Sequence, residues 1–546
     1  MTRARLAPSL LVALIAFAAG WLTLMPGVAF WDTGELQAVA PLMGTAHPTG
    51  FPTYVLLGWF ASVVLQPFGE PAFRMNLFSA VCVAVAAGMT VDLVRALTGW
   101  VVLGVAAGIA LALPPIAWAI ATHAEAHSLH LALVAILFWL LVRWDDHVRA
   151  APRDGDAPDA SRPRGDRYLV GAAFVFALAV GNHSLTLLLA VPVALYVVAV
   201  DPGIWRRGRL VGTCLGVLLV TLAAVYLELP LRAGPFRAPL VYGTPNTLEG
   251  FKYIVLAEQF QGSLSDPFGE LPRKFGELVA RTVAQFGILA PFIPVAYVVT
   301  LVRRPRYALL TGTAAAITCF FAASYVNADI SRYYLGPALM AWTWLAILAG
   351  TLVAVLAAAI GERVPAAGAV GHAGDANDRP DPGEAGPARD VSPGTPSPGG
   401  WIGLAAIAVA LALLAPTLFA VLTRYATVDE HGQTDAVGWT DHVLATMAPD
   451  AVIVSWWSFS TPLWYAQRVE GRRPDITIID DRTRLDENLG GLDDVIDANL
   501  GKRPVYVIRL DQREVRGLAQ RYQLDYVDGV DASALTRVVG LRAAGG

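Results

Sequence analysis

The chain has 546 residues, 55% of them hydrophobic and only 15% charged, with a mean hydropathy of +0.52. Water-soluble domains carry roughly 25% charged residues, so the composition excludes an ordinary cytosolic globule. The net charge of −4 gives no basic footprint for nucleic acid. Three cysteines, Cys82, Cys214 and Cys319, all lie in apolar runs and are too scattered for a disulfide framework or a zinc cluster.

A helix crossing the ~30 Å hydrocarbon core needs about 20 mostly apolar residues, and this ruler predicts about eleven spans. They are Leu6–Met25, Leu77–Leu97, Trp100–Ile120, Leu129–Trp144, Tyr168–Val180, Leu185–Val200, Leu210–Leu227, Val283–Val302, Ala308–Tyr325, Leu335–Ile360 and Ile402–Leu422. The first follows a basic start but lacks a small-x-small cleavage site, so it is read as part of the mature chain. Arginines gather on one side of the alternating spans: Arg3 and Arg5, Arg95, the Arg143–Arg167 group, Arg206–Arg209 and Arg303–Arg306. The positive-inside rule makes that side cytoplasmic. The N-terminus is then cytoplasmic, and Phe30–Arg74, Thr122–His127, Asn182–Ser184, Glu228–Arg281 and Asn327–Arg332 face outward. The chain is then expected to be a multi-pass protein of the plasma (inner) membrane.

Ala150–Arg167 and Arg363–Gly400 are rich in Pro, Gly, Asp and Ala and read as linkers without a core. No internal repeat is evident. After the last span, Ala451–Val454, Ile476–Ile479 and Val505–Ile508 alternate with helical stretches at Thr461–Val469 and Leu492–Leu500, the pattern of a small α/β domain with a parallel sheet. The expected fold is an α-helical polytopic membrane protein with a C-terminal extracytoplasmic α/β domain. Its units are a membrane unit at 1–360, a cytoplasmic linker at 361–400, a last span at 401–422 and a tail domain at 423–546.

Polar residues concentrate at the outward ends of the spans. Asp32 and Glu35 stand three apart, so a helix would put both on one face. They read either as a general base at the membrane surface or as the capping pattern of a helix starting near Leu36. His47-Pro48-Thr49-Gly50-Phe51-Pro52 is a rigid turn, followed by an interfacial helix at Tyr54–Leu65. His47 is a phosphate or sugar contact or an interfacial side chain. His123, His127 and His130 could share a helical face around a metal, though not at metalloprotease spacing. Glu125 between them is a functional candidate because an ionisable group at that depth is costly. His183 sits at a tight turn, where backbone capping explains it equally well. Asp329 and Arg332, followed by Tyr333, form either a local ion pair or a phosphate site. Arg232 and Arg237 are further phosphate candidates. Trp456-Trp457 and Trp464-Tyr465 are an aromatic platform or core.

Three segments in this order carry a resemblance: Trp31-Asp32-Thr33-Gly34-Glu35, then His47-Pro48-Thr49-Gly50-Phe51-Pro52-Thr53-Tyr54, then Arg74-Met75-Asn76-Leu77-Phe78-Ser79-Ala80. Together they resemble the N-terminal signature of a bacterial membrane family similar to the eukaryotic transmembrane O-mannosyltransferase that modifies plexin-type receptors. That family belongs with the GT-C glycosyltransferases. The resemblance is clear over about Phe30–His130, extends through Gly181-Asn182-His183 to Arg332, and says little about the linker or the tail domain.

The resemblance implies a GT-C-like enzyme that takes a sugar, mannose by family, from a polyprenyl-phosphate donor. The acceptor hydroxyl would lie on a protein or a glycan at the outer face, with inversion of the anomeric centre. Asp32 or Glu35 matches the position of the base, and the sequence does not choose between them. Arg332, Arg232 and Arg74 are the candidate cations for the leaving phosphate. His47, His183, His123 and Glu125 are candidate sugar or donor contacts, with Asp329 and Tyr333 beside them. No cofactor beyond the lipid-linked donor is required by the sequence; some GT-C enzymes use a divalent metal and others do not. The competing readings are a flippase of lipid-linked sugars without chemistry and a membrane-anchored binding protein whose tail is the active part.

Overall fold

A computed structural model describes residues 3–150, 165–264, 266–326, 329–359, 400–529 and 533–542. The two expected linkers fall almost wholly outside these residues, as does Asn327. Among the described residues, seven helices are long and apolar enough to cross a membrane: Pro71–Thr98, Ala126–Ala150, Gly208–Ala233, Leu271–Arg303, Pro305–Ser324, Ile330–Ala359 and Gly400–Phe419. Shorter apolar helices occupy Leu6–Leu22, Pro52–Val64, Val101–Ala112 and Ser184–Val200.

Several expected spans are interrupted, each for a local reason. The predicted Trp100–Ile120 span stops at Ala112, where Leu113-Pro114-Pro115 cannot continue the hydrogen-bond ladder, and a short helix resumes at Pro115–Ala119. The predicted Val283–Val302 span begins earlier, as an amphipathic helix at Leu271–Phe286. It tightens at Gly287–Phe292, where Gly287 has φ +56° and Pro291 intervenes, and continues as Ile293–Arg303. The central helices Pro71–Thr98 and Ala126–Ala150 pack against each other and are mostly buried in protein. Small residues such as Gly88 and Gly108 let backbones approach there: a Cβ on Gly108 would sit 2.7 Å from the Ala87 carbonyl oxygen.

The tail carries one five-stranded sheet. Strands β1 (Val452–Ser455), β2 (Thr477–Asp480) and β3 (Val505–Ile508) are parallel, as expected from the sequence. Strands β4 (Tyr522–Tyr526) and β5 (Thr536–Leu541) add an antiparallel edge, giving the order β2-β1-β3-β5-β4. Alternate residues serve opposite faces. Ile453, Ile478 and Tyr506 pack under Val443, Leu463 and Trp464, whereas Val452, Val454 and Val507 pack under Ile496 and Leu518. Burial on both faces explains why the three parallel strands read as unbroken apolar runs.

The tail docks on the helix Trp31–Leu42 of the first loop. Phe30 is held edge-on by Trp439 and Phe459, with centroids 5.3 and 5.7 Å away. The Tyr465 hydroxyl accepts a hydrogen bond from the Ala72 amide at 3.0 Å. Gly27 and Gly34 permit close approach: a Cβ on Gly27 would meet Val437 Cγ2 at 2.8 Å, and one on Gly34 would meet Thr461 Oγ1 at 2.8 Å and the Ala29 carbonyl oxygen at 2.1 Å.

Candidate active site

The helix Trp31–Leu42 opens on Trp31 with φ +62°, a region bulky residues rarely enter. Its N-cap, Phe30, makes no side-chain cap, so Asp-x-x-Glu is not a capping box here. The two carboxylates part company instead. The Asp32 side chain is 35% exposed and lines a cavity. Glu35 is 1% exposed and spends both oxygens on His47: Oε1 accepts from the His47 amide at 3.0 Å, and Oε2 pairs with ring Nδ1. Burial alone would lower the His47 pKa, but the Glu35 carboxylate reverses this and pushes it up to about 9. The ring is therefore an imidazolium at neutral pH.

Arg332 is the hub of the site. Its guanidinium ion-pairs with Glu125, reaches Asp32 Oδ2 at 3.4 Å and holds Asp329 Oδ2 at 3.1 Å. Three carboxylates thus share one planar fork, which an arginine can span and a lysine cannot. Glu125 is fixed from the other side by His127, whose Nδ1 lies 2.8 Å from Glu125 Oε1. Asn76, from the third motif segment, ties these pieces together. Its Oδ1 accepts from Gln37 Nε2 and from the Ala124 amide, both at 2.8 Å, and its Nδ2 donates to the Met25 carbonyl at 2.9 Å. One buried amide therefore sets the helix bearing Asp32 against the loop bearing Glu125.

Further inside, His127, His183 and Tyr333 cluster. The ring centroids of His127 and His183 are 4.7 Å apart, and Tyr333 lies 5.3 and 5.7 Å from them. His183 Nδ1 accepts from the Leu185 amide at 3.0 Å, so a neutral ring carries its proton on Nε2 as a donor. The turn-capping reading of His183 is met by Nδ1 alone, which leaves Nε2 unused by the turn. His127 Nε2 is buried and has no partner among the described residues.

Two cavities meet at these residues. The larger, about 1070 Å³, lies between the membrane domain and the tail, with Trp31, His123, Trp456, Trp457, Asp481 and Arg482 in its walls. The smaller, about 500 Å³, is lined by leucines such as Leu187, Leu188, Leu256 and Leu264 around a tip of Glu125, His127, His183 and Tyr333. Leu187, Leu256 and Leu264 are themselves exposed on the membrane-domain surface. Asp32, His47, Phe260 and Arg332 line both cavities.

Other expected residues are elsewhere. Arg232 donates through Nε and Nη2 to the Met43 and Leu42 carbonyls at 2.8 and 2.9 Å, closing the end of the Trp31–Leu42 helix. Arg74 donates to the Ser62 carbonyl at 2.6 Å. Neither lines the two cavities. The shared metal face of His123, His127 and His130 does not form. His123 pairs with Glu430 at 3.1 Å, His127 with Glu125, and His130 Nδ1 lies 3.2 Å from Thr186 Oγ1. Among the described residues no group of three or more His, Cys, Asp or Glu side chains is gathered around a metal position. Trp464 and Tyr465 are buried in packing, whereas Trp456 and Trp457 line the larger cavity. Glu430 and Phe260 line the larger cavity without having been singled out in the sequence, and His127, read there only as a metal candidate, lines the smaller one.

Residues 32–203 match the model of the Protein O-mannosyl-transferase TMEM260 N-terminal domain. The chain is 26% identical over 485 residues to the Mus musculus Protein O-mannosyl-transferase TMEM260, covering 84% of this chain and 60% of the mouse protein. It is 24% identical over 279 residues to the Dictyostelium discoideum Protein O-mannosyl-transferase tmem260, covering 49% of this chain and 33% of that one. The chain thus spans less than two thirds of either relative. In fold it is similar to the crystal structure of ArnT from Cupriavidus metallidurans bound to undecaprenyl phosphate, with a TM-score of 0.55 at 15% identity over 99% of this chain and 98% of that one. The apo form of that protein gives the same TM-score at 14% identity. The fold is GT-C-like, multi-pass in the membrane with a small sheet domain at its C-terminal end.

Proposed function

We propose that this chain is an inverting glycosyltransferase. It moves a sugar, mannose in this reading, from a polyprenyl-phosphate donor to a hydroxyl of a polypeptide at the extracytoplasmic face of the plasma membrane. One observation carries the proposal: the half-buried Asp32 carboxylate stands where a leucine-lined chamber meets a wider cavity with several charged side chains in its walls. An enzyme joining a lipid-borne sugar to a water-borne acceptor needs this meeting point. The names of the mouse and Dictyostelium relatives support the transferred group and the acceptor class. The undecaprenyl phosphate bound in the ArnT structure supports the donor class.

In this mechanism Asp32 takes the proton of the acceptor hydroxyl, as a general base contributing about 10²–10⁴-fold. The freed oxygen bonds to the anomeric carbon while the bond from that carbon to the lipid phosphate oxygen breaks on the opposite face, inverting the centre. The lipid phosphate leaves with both electrons of that bond. Arg332 orients Asp32, but its charge is already shared among three carboxylates. The His47 imidazolium, the His183 Nε2 proton and the Tyr333 hydroxyl are the donors left to stabilise the leaving phosphate. Glu35 is a positioning residue that keeps His47 charged. Arg232 and Arg74 act on the backbone rather than on the donor.

The test is mannose transfer from radiolabelled polyprenyl-phosphate mannose to Ser/Thr-containing peptides in reconstituted vesicles. Transfer by the wild type and its loss in His183→Ala and Asp32→Asn support the reading. Translocation of the labelled lipid across the bilayer with no transfer to any peptide would favour the flippase.

A further inference from the structure

The tail domain presents the carboxyl ends of β1, β2 and β3 side by side, and the residues that follow these strands gather at one edge. They are Trp456 and Trp457 after β1, Asp481 and Arg482 after β2, and Arg509 after β3. In open α/β sheets this edge is where ligands bind. Here it faces the membrane domain, and Trp456, Trp457, Asp481 and Arg482 line the larger cavity together with Asp32.

The edge also holds unused hydrogen-bonding capacity. The indole Nε1 atoms of Trp456 and Trp457, Arg509 Nη1 and Asp480 Oδ2 are all buried without a partner among the described residues. Buried polar atoms ordinarily find partners, so four at one edge mark a surface built to meet something else. Arg509 is 3% exposed, stacks near the Trp456 ring at 5.7 Å and grips Asp481 at 2.9 Å, which stiffens the edge. Arg482 anchors the outer loop by its contacts with the Tyr242 and Tyr253 rings, at 4.7 and 4.6 Å. Trp457 connects this edge to the catalytic loop, 5.8 Å from the His47 ring and 6.5 Å from Trp31.

The cavity is acidic on balance. Asp32, Asp329, Glu430, Asp435 and Asp481 face two guanidiniums, Arg332 and Arg482, with His47 and His123 beside them. Such a cavity disfavours an anionic occupant and favours one that is neutral or basic.

We propose that the carboxyl edge of β1–β3 is the acceptor site. It holds a neutral-to-basic polypeptide segment, with the Trp456 and Trp457 indole N–H groups donating to peptide carbonyls and the segment's hydroxyl presented to Asp32. The delivery of the hydroxyl rests on the transferase reading; the binding of the segment does not.

The experiment measures binding to full-length protein in nanodiscs by fluorescence anisotropy. The probes are short labelled peptides with one threonine, flanked by lysines or by glutamates in the same alanine frame. The lysine peptide should bind about tenfold more tightly than the glutamate peptide. Trp457→Phe keeps an aromatic six-membered ring but removes the pyrrole ring with its N–H, and should weaken lysine-peptide binding about five- to tenfold, of the order of one lost buried hydrogen bond. Asp435→Asn, at an exposed cavity rim, should narrow the charge preference. Asp525→Asn on β4, away from the cavity, should change neither value. Equal binding by all variants, a preference for the glutamate peptide, or no binding by the wild type would overturn the proposal. Mannose transfer is read in parallel. A wild type that binds but transfers nothing sinks the transferase and leaves the acceptor site. Transfer with binding indifferent to Trp457→Phe does the reverse.

Discussion

Arg332 Nη2 lies 3.4 Å from Asp32 Oδ2, joining two residues 300 positions apart at the point where both cavities open. The same guanidinium holds Glu125, whose side chain is only 3% exposed. Removing the cation leaves that buried carboxylate with His127 as its remaining side-chain partner among the described residues. Arg332→Gln should therefore destabilise the protein by about 3–5 kcal/mol, the usual result of breaking a buried ion pair from one side. Arg332→Lys should recover only part of this, because a point charge cannot span three carboxylates. Thermal unfolding in detergent checks both variants.

Glu35 and His47 set a pH dependence. The His47 pKa is raised from its ordinary 6.5 to about 9, with burial opposing and Glu35 reversing it. A raised value in the folded state means that the pair's contribution to stability is fully present below about 6.5. It is lost as the pH rises through about 9. Unfolding temperature and transfer rate should both fall on that alkaline limb. Glu35→Gln should move the limb toward neutral pH, and a profile unmoved by Glu35→Gln would contradict the pairing.

Gly34 packs the helix Trp31–Leu42 against its own N-terminal turn and against the tail, where a Cβ would lie 2.8 Å from Thr461 Oγ1. A methyl group there would overlap the Ala29 carbonyl oxygen at 2.1 Å. Gly34→Ala should cost about 1–3 kcal/mol through overpacking, and it should loosen the tail from the membrane domain. Limited proteolysis of the tail, faster in the variant than in the wild type, reads that loosening directly.

Much of this arrangement is legible in the sequence because it is carried by local pattern. The apolar runs give the membrane helices, and the three parallel strands show as unbroken apolar runs because both their faces are buried. The edge strands β4 and β5 escape that reading. Their polar residues, such as Gln523, Asp525 and Arg537, alternate with apolar ones, the pattern of a half-buried edge strand rather than an unbroken apolar run. The Asp32/Glu35 pair is visible as a spacing, but their division of labour depends on His47, twelve residues past Glu35, and on Arg332, far along the chain. His127 reads as a member of a metal motif because its i, i+4 neighbour is a histidine, yet its partner is Glu125, two residues before it. Arg232 and Arg74 look like phosphate ligands because a sequence shows a charge and not the backbone carbonyls it caps.

The division between the two carboxylates is the centre of the account. Its most direct test compares initial rates of mannose transfer from polyprenyl-phosphate mannose for wild type, Asp32→Asn and Glu35→Gln, each reconstituted and shown to be folded. The account predicts a loss of about 10²-fold or more in Asp32→Asn, and in Glu35→Gln a smaller loss with the alkaline limb displaced toward neutral pH. Wild-type rates in Asp32→Asn, or activity abolished by Glu35→Gln alone at every pH, would contradict it.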